Sequence, residues 1–203
     1  MFITFEGCEG CGKTTHINLL AEYLREKGKE VLVSREPGGT PFGENLREVL
    51  LESRRKIVDR AELFLFAADR AQHVEKVIKP ALNAGKFVLC DRYIDSTYAY
   101  QIGGRQLPED LVNYINLVSS FGLFPDITFY LDVPAEMGLK RVSDRGAEIN
   151  RFELEEIKFH DNVRQAYLNL GKENPKRIRI INATGSIEST QQQIRKSIGE
   201  AKA

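Results

Sequence analysis

No sign of charge predominates in this sequence. Lysine plus arginine and aspartate plus glutamate each total 29. A general affinity for nucleic acid or for a membrane surface is therefore not expected, although a local basic cleft stays open. No apolar run approaches the ~18 residues needed to cross a membrane, and the N-terminal stretch reads as a core strand, not as a basic-apolar signal. The expected location is the cytoplasm. Cysteine is scarce, three in 203 residues, which excludes a disulfide framework. Cys8 and Cys11 form a C-x-x-C, but no second Cys/His pair follows at zinc-finger spacing. No linker, repeat or low-complexity segment interrupts the chain, and its 203 residues suit one α/β domain, 1–203, with a substantial core.

What is present begins at the N-terminus. Gly7, Gly12, Lys13 and Thr14 satisfy the phosphate-loop spacing, with Cys8, Glu9, Gly10 and Cys11 as the four variable positions and Thr15 following. Met1 to Phe5 reads as a strand and Thr14 to Lys27 as a helix. Strand, glycine loop and helix N-terminus make an anion site, because backbone N–H groups turn inward and the helix dipole favours negative charge. Lys13 adds a full positive charge at the β/γ-phosphates, and the Thr14 hydroxyl suits Mg²⁺. The chain is expected to bind a nucleoside triphosphate. The C-x-x-C is read as small side chains tolerated where phosphates approach the backbone. If the two sulfurs can meet, oxidation would distort the loop and block the triphosphate.

Further along, strands are expected at 30–35, 86–91, 125–132 and 177–181. Helices are expected at 14–27, 43–52, 59–84, 108–121, 135–143, 152–170 and 186–198. Alternation of strands with helices implies a five-stranded parallel sheet covered on both faces, the phosphate-loop NTPase fold of the α/β class. The strand at 86–91 ends in Asp91, as expected of a central strand carrying a Walker-B-like aspartate that meets Mg²⁺ directly or through water. On the 59–84 helix, Phe66, Arg70 and His73 align at i, i+4, i+7. The loop Glu36-Pro37-Gly38-Gly39-Thr40-Pro41 is rigid and turn-rich.

No guanine-reading Asn-Lys-x-Asp or Asp-x-x-Gly is present, which argues against a GTPase switch. Phosphoryl transfer to a second substrate needs an acceptor pocket, cations and water exclusion. The stretches 36–47, 66–70 and 91–101 offer those parts, and the arginine-bearing segment around 142–152 suits a lid.

Together, Gly7-x4-Gly-Lys-Thr, Arg35-Glu-Pro-Gly-Gly-Thr40, Phe66-Ala-Ala-Asp-Arg70, Asp91-Arg92-Tyr93, Ser96-Thr-Tyr-Ala-Tyr-Gln101 and Arg145-Gly to Arg151-Phe-Glu153 make the chain resemble bacterial thymidylate kinases. The resemblance runs nearly end to end. It implies transfer of the ATP γ-phosphoryl to dTMP, giving dTDP, with Mg²⁺, in a homodimer. It places Glu9 on the sugar 3′-hydroxyl, Arg47 and Arg92 on the dTMP phosphate, Phe66 on the thymine ring and Arg70 on a thymine carbonyl. Tyr100 crowds the 2′ position, Ser96 and Gln101 add base-side contacts, and Glu36 and Pro37 belong to the same acceptor pocket. Arg141 and Asn182 fall on the ATP side. The chain departs from the family's usual aspartates at Asn150 and Asn182. The nearest alternative is another nucleotide or deoxynucleoside kinase on the same scaffold, and the more distant one a nucleotide-binding protein without turnover.

None of Cys8, Glu9, Gly10 and Cys11 is basic, so the phosphate loop lacks a catalytic arginine of its own. The charge spread over the migrating phosphoryl then calls for Arg145, Arg151 or both, delivered by the lid. An arginine introduced at Gly10 is the corresponding expected rescue.

Overall fold

The computed structural model describes residues 1–51, 57–144, 146 and 149–200. Its sheet is five-stranded with order β2-β3-β1-β4-β5. The strands are β1 (Phe2–Glu6), β2 (Val31–Arg35), β3 (Phe87–Asp91), β4 (Ile127–Asp132) and β5 (Ile178–Asn182), all paired in parallel. Central β1 pairs with β3 on one side (Ile3 with Leu89) and β4 on the other (Ile3 with Ile127). Burial on both faces explains why Phe2, Ile3 and Phe5 show no in-out alternation, and Thr4 and Glu6 are buried with them.

Alternate residues divide the core in two. Ile3, Phe5, Leu89, Phe129 and Leu131 pack on α1 (Lys13–Glu26) and α9 (Ile187–Glu200), through Ile17, Leu20, Leu24, Ile194 and Ile198. On the other face, Phe2, Val88 and Cys90 meet Val74, Ile78 and Ala81. Tyr130 and Ile178 meet Val163, Tyr167 and Leu170 of α8 (Ile157–Glu173) on that same face. The expected doubly covered parallel sheet is observed. The remaining helices are α2 (Pro41–Leu51), α3 (Asp59–His73), α4 (Lys79–Asn83), α5 (Ile94–Thr97), α6 (Glu109–Ser120) and α7 (Ala135–Asp144).

Two expected helices differ. The one at 59–84 is interrupted by a π turn, Val74–Ile78, in which the Lys79 N–H donates to the Val74 carbonyl five residues back. Pro80 follows, with no N–H to give and a ring that crowds the preceding turn, and the wider turn accommodates it. The helix expected from 152 begins at Ile157. The Asn150 side chain accepts from the N–H groups of Phe152 (2.9 Å) and Glu153 (3.2 Å), and the Glu153 carboxylate accepts from the Asn150 N–H. That reciprocal turn satisfies the backbone outside a helix. A second π segment, Tyr98–Gly104, follows α5 and carries Tyr100 and Gln101.

The phosphate loop and α7 meet backbone to backbone. A Cβ on Gly10 would stand 2.1 Å from the Gly138 carbonyl oxygen, and one on Gly138 would stand 2.4 Å from that of Glu9. Gly10 also has φ +68°. An arginine at Gly10 is therefore no rescue: any side chain there collides with backbone that cannot step aside. Gly138→Ala is expected to cost about 1–3 kcal/mol of stability through overpacking and to push the loop out of shape. Thermal unfolding and triphosphate affinity should fall together.

Candidate active site

The phosphate loop lies at one end of a cleft of about 2360 Å³. Lys13 Nζ donates to the carbonyls of Gly7 and Cys8, each at 3.0 Å, which aims it across the loop's concave side. Thr14 Oγ1 donates to Asp91 Oδ2 at 3.2 Å, so β3 and α1 bring two hard oxygen donors together beside the phosphates' place. Such a pair fits Mg²⁺, which takes oxygen ligands and keeps several waters. Arg141 of α7 donates to the Gly10 carbonyl at 3.4 Å and to that of Ala183 at 3.3 Å. A recess of about 310 Å³ opens there, lined by Gly12, Thr15, His16, Arg141, Ala183 and Thr190 among others.

Glu9 joins the loop to the rest of the cleft. Its Oε1 accepts from Arg92 Nη2 (3.0 Å) and from the Tyr100 hydroxyl (2.6 Å), and Oε2 lies 3.4 Å from His160 Nδ1. Burial pushes this carboxyl up, but the nearby His160 ring, the charges of Arg92 and Lys13 and the hydrogen bond from Tyr100 outweigh it and hold the pKa at about 2. Glu9 is charged at every working pH. Arg92 takes a left-handed backbone, φ 70°, rare outside glycine and costly by about 1–3 kcal/mol. The turn after β3 puts its guanidinium 4.9 Å from the Tyr100 ring centroid and in reach of the Ser96 hydroxyl. Ser96 in turn meets Glu6 Oε2 (2.5 Å) and the Tyr167 hydroxyl (2.8 Å), so it acts on Arg92's setting.

The far end is built on α3 and the 36–41 loop, entered through a cis Glu36–Pro37 bond. Arg70 is 2 % exposed and gives Nε to Glu36, Nη1 to Asn116 and Nη2 to Thr97 at 2.8–2.9 Å. Glu36 also pairs with His73 Nδ1 at 2.9 Å, and His73 Nε2 meets the Ser34 hydroxyl. Asp69 accepts from the Gly38 N–H, and Gly43 lies so close that a Cβ there would stand 2.2 Å from Asp69 Oδ1. Arg47 donates to the Pro37 carbonyl at 3.0 Å. Phe66 lines the cleft, its ring 6.1 Å from that of Phe152. Gln101 donates to Glu62, which is fully buried.

Most of the residues expected from sequence face this one cleft: Glu9, Gly10, Gly12, Lys13, Thr14, Thr15, Glu36, Pro37, Arg47, Phe66, Arg70, Asp91, Arg92, Ser96, Tyr100, Gln101, Arg141 and Arg151. Some differ from expectation in place or partners. Arg145 lies outside the described residues. Arg151 donates to the Leu50 carbonyl and pairs with Glu62 at 2.7 Å, so it is engaged with α2 and α3, not with the phosphate loop. Asn182 lines neither hollow; its Oδ1 accepts from the Thr184 N–H and hydroxyl, closing the turn after β5. Cys8 and Cys11 are both buried, Cys8 among Tyr100, Tyr130 and Val163, Cys11 among Phe5, Ile17 and Phe129. These are opposite faces of the sheet, so the two sulfurs cannot bond while the loop keeps its shape, and burial pushes the Cys8 thiol up. Sequence reasoning missed Glu62, Arg105 and His160. Glu62 stands one turn before Phe66 and Arg105 one turn after Gln101, a spacing that signals shared faces; nothing in the sequence marks His160.

A triphosphate cradle at one end of a cleft, a cationic and aromatic pocket at the other, and an arginine between them define a phosphate-loop nucleotide kinase. The family model described as thymidylate kinase matches residues 5–194, and the chain belongs to that family. It is 49% identical over 94% of its length to a thymidylate kinase of Geotalea uraniireducens, covering 92% of that protein. It is 45% identical over 98% to one of Gloeobacter violaceus, covering 94%. A crystal structure of thymidylate kinase from Ehrlichia chaffeensis superposes with TM-score 0.81 at 35% identity, with 98% of each chain covered. The family's reaction is phosphorylation of dTMP to dTDP, with ATP as donor.

Glu6 supplies a test of these electrostatics. Burial, reinforced by Asp95, raises its pKa from 4.5 to about 7. Between those values the folded chain holds a proton that the unfolded chain has lost, so stability falls as pH rises from 4.5 to 7 and then levels. Asp69, raised from 3.8 to about 6 by burial and Glu36, acts with the same sign at lower pH. Glu6→Gln is expected to flatten the decline above pH 6, read by thermal melts across that range.

Proposed function

We propose that this cleft transfers the γ-phosphoryl of ATP directly to the 5′-phosphate of dTMP, with no covalent enzyme intermediate. The observation that carries the reading is Arg92, held by Glu9 between the Lys13 loop and the Phe66–Arg70 pocket. Lys13 meets the β/γ-phosphates. Arg92 and Arg47 take the acceptor phosphate, where a planar fork suits a dianion better than an ammonium does. Phe66 stacks on thymine, Arg70 and Gln101 meet its edge beside Glu36 and Pro37, Glu9 takes the 3′-hydroxyl, and Tyr100 fills the 2′ side. Arg141 flanks the adenine-side recess. Thr14 and Asp91 would hold Mg²⁺, which neutralises charge on the phosphate oxygens.

The chain acts as one kinase domain in the cytoplasm; no helix among the described residues is long and apolar enough to cross a membrane. Phe64 of α3 and Tyr114, Leu117 and Val118 of α6 are 51–65 % exposed on two helices packed against each other, which supports a homodimer through that face. Sedimentation should then report twice 23.0 kDa, and Leu117→Glu should halve it.

A coupled ADP-release assay over dTMP, dUMP, dCMP and thymidine tests the function: dTMP should be preferred and thymidine refused, and equal use of thymidine would overturn the reading. The segment 142–152 is the lid that supplies the remaining cation. Because Arg151 is bound to Glu62, Arg145 is the residue assigned to the migrating phosphoryl. Arg145→Ala should lower kcat about 10³-fold with KM for dTMP little changed, whereas Arg151→Ala should chiefly lower the melting temperature. Wild-type turnover in Arg145→Ala would place the cation elsewhere.

A further inference from the structure

The Glu62 carboxylate is fully buried in the wall of the acceptor pocket, and nothing in the mechanism above uses it. Its Oε1 accepts from Gln101 Nε2 at 2.8 Å and from Arg105 Nε at 3.2 Å. Its Oε2 accepts from Arg105 Nη2 at 3.3 Å and lies 2.7 Å from Arg151 Nη2. Two guanidinium groups face it, of which Arg105 also pairs with Glu155 at 2.6 Å, and its partners come from the second π segment, the residue that follows it and the turn before α8. We propose that Glu62 is a specificity-determining positioning residue, which sets the base preference of the enzyme by fixing the orientation of the Gln101 amide. The inference rests on the placement of the acceptor base beside Phe66, Arg70 and Gln101.

A carboxylate accepts hydrogen bonds and donates none. Gln101 must therefore turn its NH₂ group to Glu62 and its carbonyl oxygen away from it. Gln101 lines the cleft, and among the described residues nothing donates to that oxygen. A solvent-facing glutamine can rotate end for end and read either a donor or an acceptor; this one is locked as an acceptor. In a pyrimidine nucleotide N1 carries the sugar, so the ring offers an N–H only at N3, and only in thymine and uracil. Cytosine presents a bare N3, which sets acceptor against acceptor, and an amino group where thymine has a carbonyl. Arg70, two turns along α3 from Glu62, donates and never accepts. An acceptor at Gln101 beside a donor at Arg70 reproduces the complement of the thymine edge and the reverse of the cytosine edge.

The test is the ratio of kcat/KM for dTMP to that for dCMP in the wild type, Glu62→Gln and Gln101→Ala. A glutamine at position 62 can accept or donate, so the Gln101 amide is released to face either way. The ratio should fall about tenfold to hundredfold, the scale of one lost pairing plus an unpaired buried group, with part of the change a gain on dCMP. A structural role alone would lower both substrates together and leave the ratio unchanged. If Gln101→Ala lowers the ratio and a folded Glu62→Gln does not, the Glu62 inference is overturned while the base pocket stands. If Gln101→Ala leaves the ratio unchanged, the base pocket itself is misplaced and both readings fall. Should Glu62→Gln fail to fold, a crystal structure of the wild type with dTMP decides. Gln101 Oε1 on N3 with Nε2 still on Glu62 supports the inference; a Gln101 detached from Glu62, or an N3 met by another group, overturns it.

Discussion

Everything the cleft does depends on one acid placed where an anion binder would ordinarily avoid it. Glu9 sits inside a loop whose backbone N–H groups and lysine gather phosphate charge. Burying a carboxylate there is costly unless it is closely partnered, and Arg92, Tyr100 and His160 supply the partners. They come from the turn after β3, from a π segment and from α8, so a single side chain ties the loop to three other elements. The strained backbone of Arg92 is intelligible in that light: it is held where the charge balance of Glu9 requires a cation.

The same arrangement recurs at the opposite end. Glu36 is shared by Arg70 and His73, and Glu62 by Gln101, Arg105 and Arg151. Each is a buried acid whose arginine partners stand on another element. Removing one partner from such a set costs more than the pair contributes, because a charge is left in a low-dielectric place. That end of the cleft is therefore tied together by a few buried charge pairs that fail as units. Phe152 adds the apolar counterpart, its ring set against Tyr100 and near Arg105.

How much of this was legible in the sequence follows from the range of the interactions. The phosphate loop, the strands and most helices are written in local spacing: glycines, short apolar runs and 3.6-residue stripes. Asp91, Phe66 and Gln101 could be placed by their position at strand ends and on helix faces. What could not be read is who holds whom. That Arg70 is held by Glu36, Asn116 and Thr97, or that Arg151 turns to Glu62, depends on contacts between residues 27 to 89 positions apart. The π turn before Pro80 and the Asn150 turn ahead of α8 were hidden for a different reason. Both are local, but each is a choice between two ways of satisfying the same backbone groups, and periodicity does not distinguish them.

The strand order bears on how the chain is made. On a ribosome β1 emerges first, yet its two neighbours in the sheet, β3 and β4, begin at residues 87 and 127. β2, next to emerge, pairs with β3 alone. At about 5–20 residues per second, a strand that the finished fold buries along its whole length waits several seconds with both edges bare. When β3 arrives it slots between β1 and β2 and closes a gap on each at once. The strand that ends in Asp91 is thus also the keystone of assembly, and a nascent chain stalled before it is the form most in need of a chaperone.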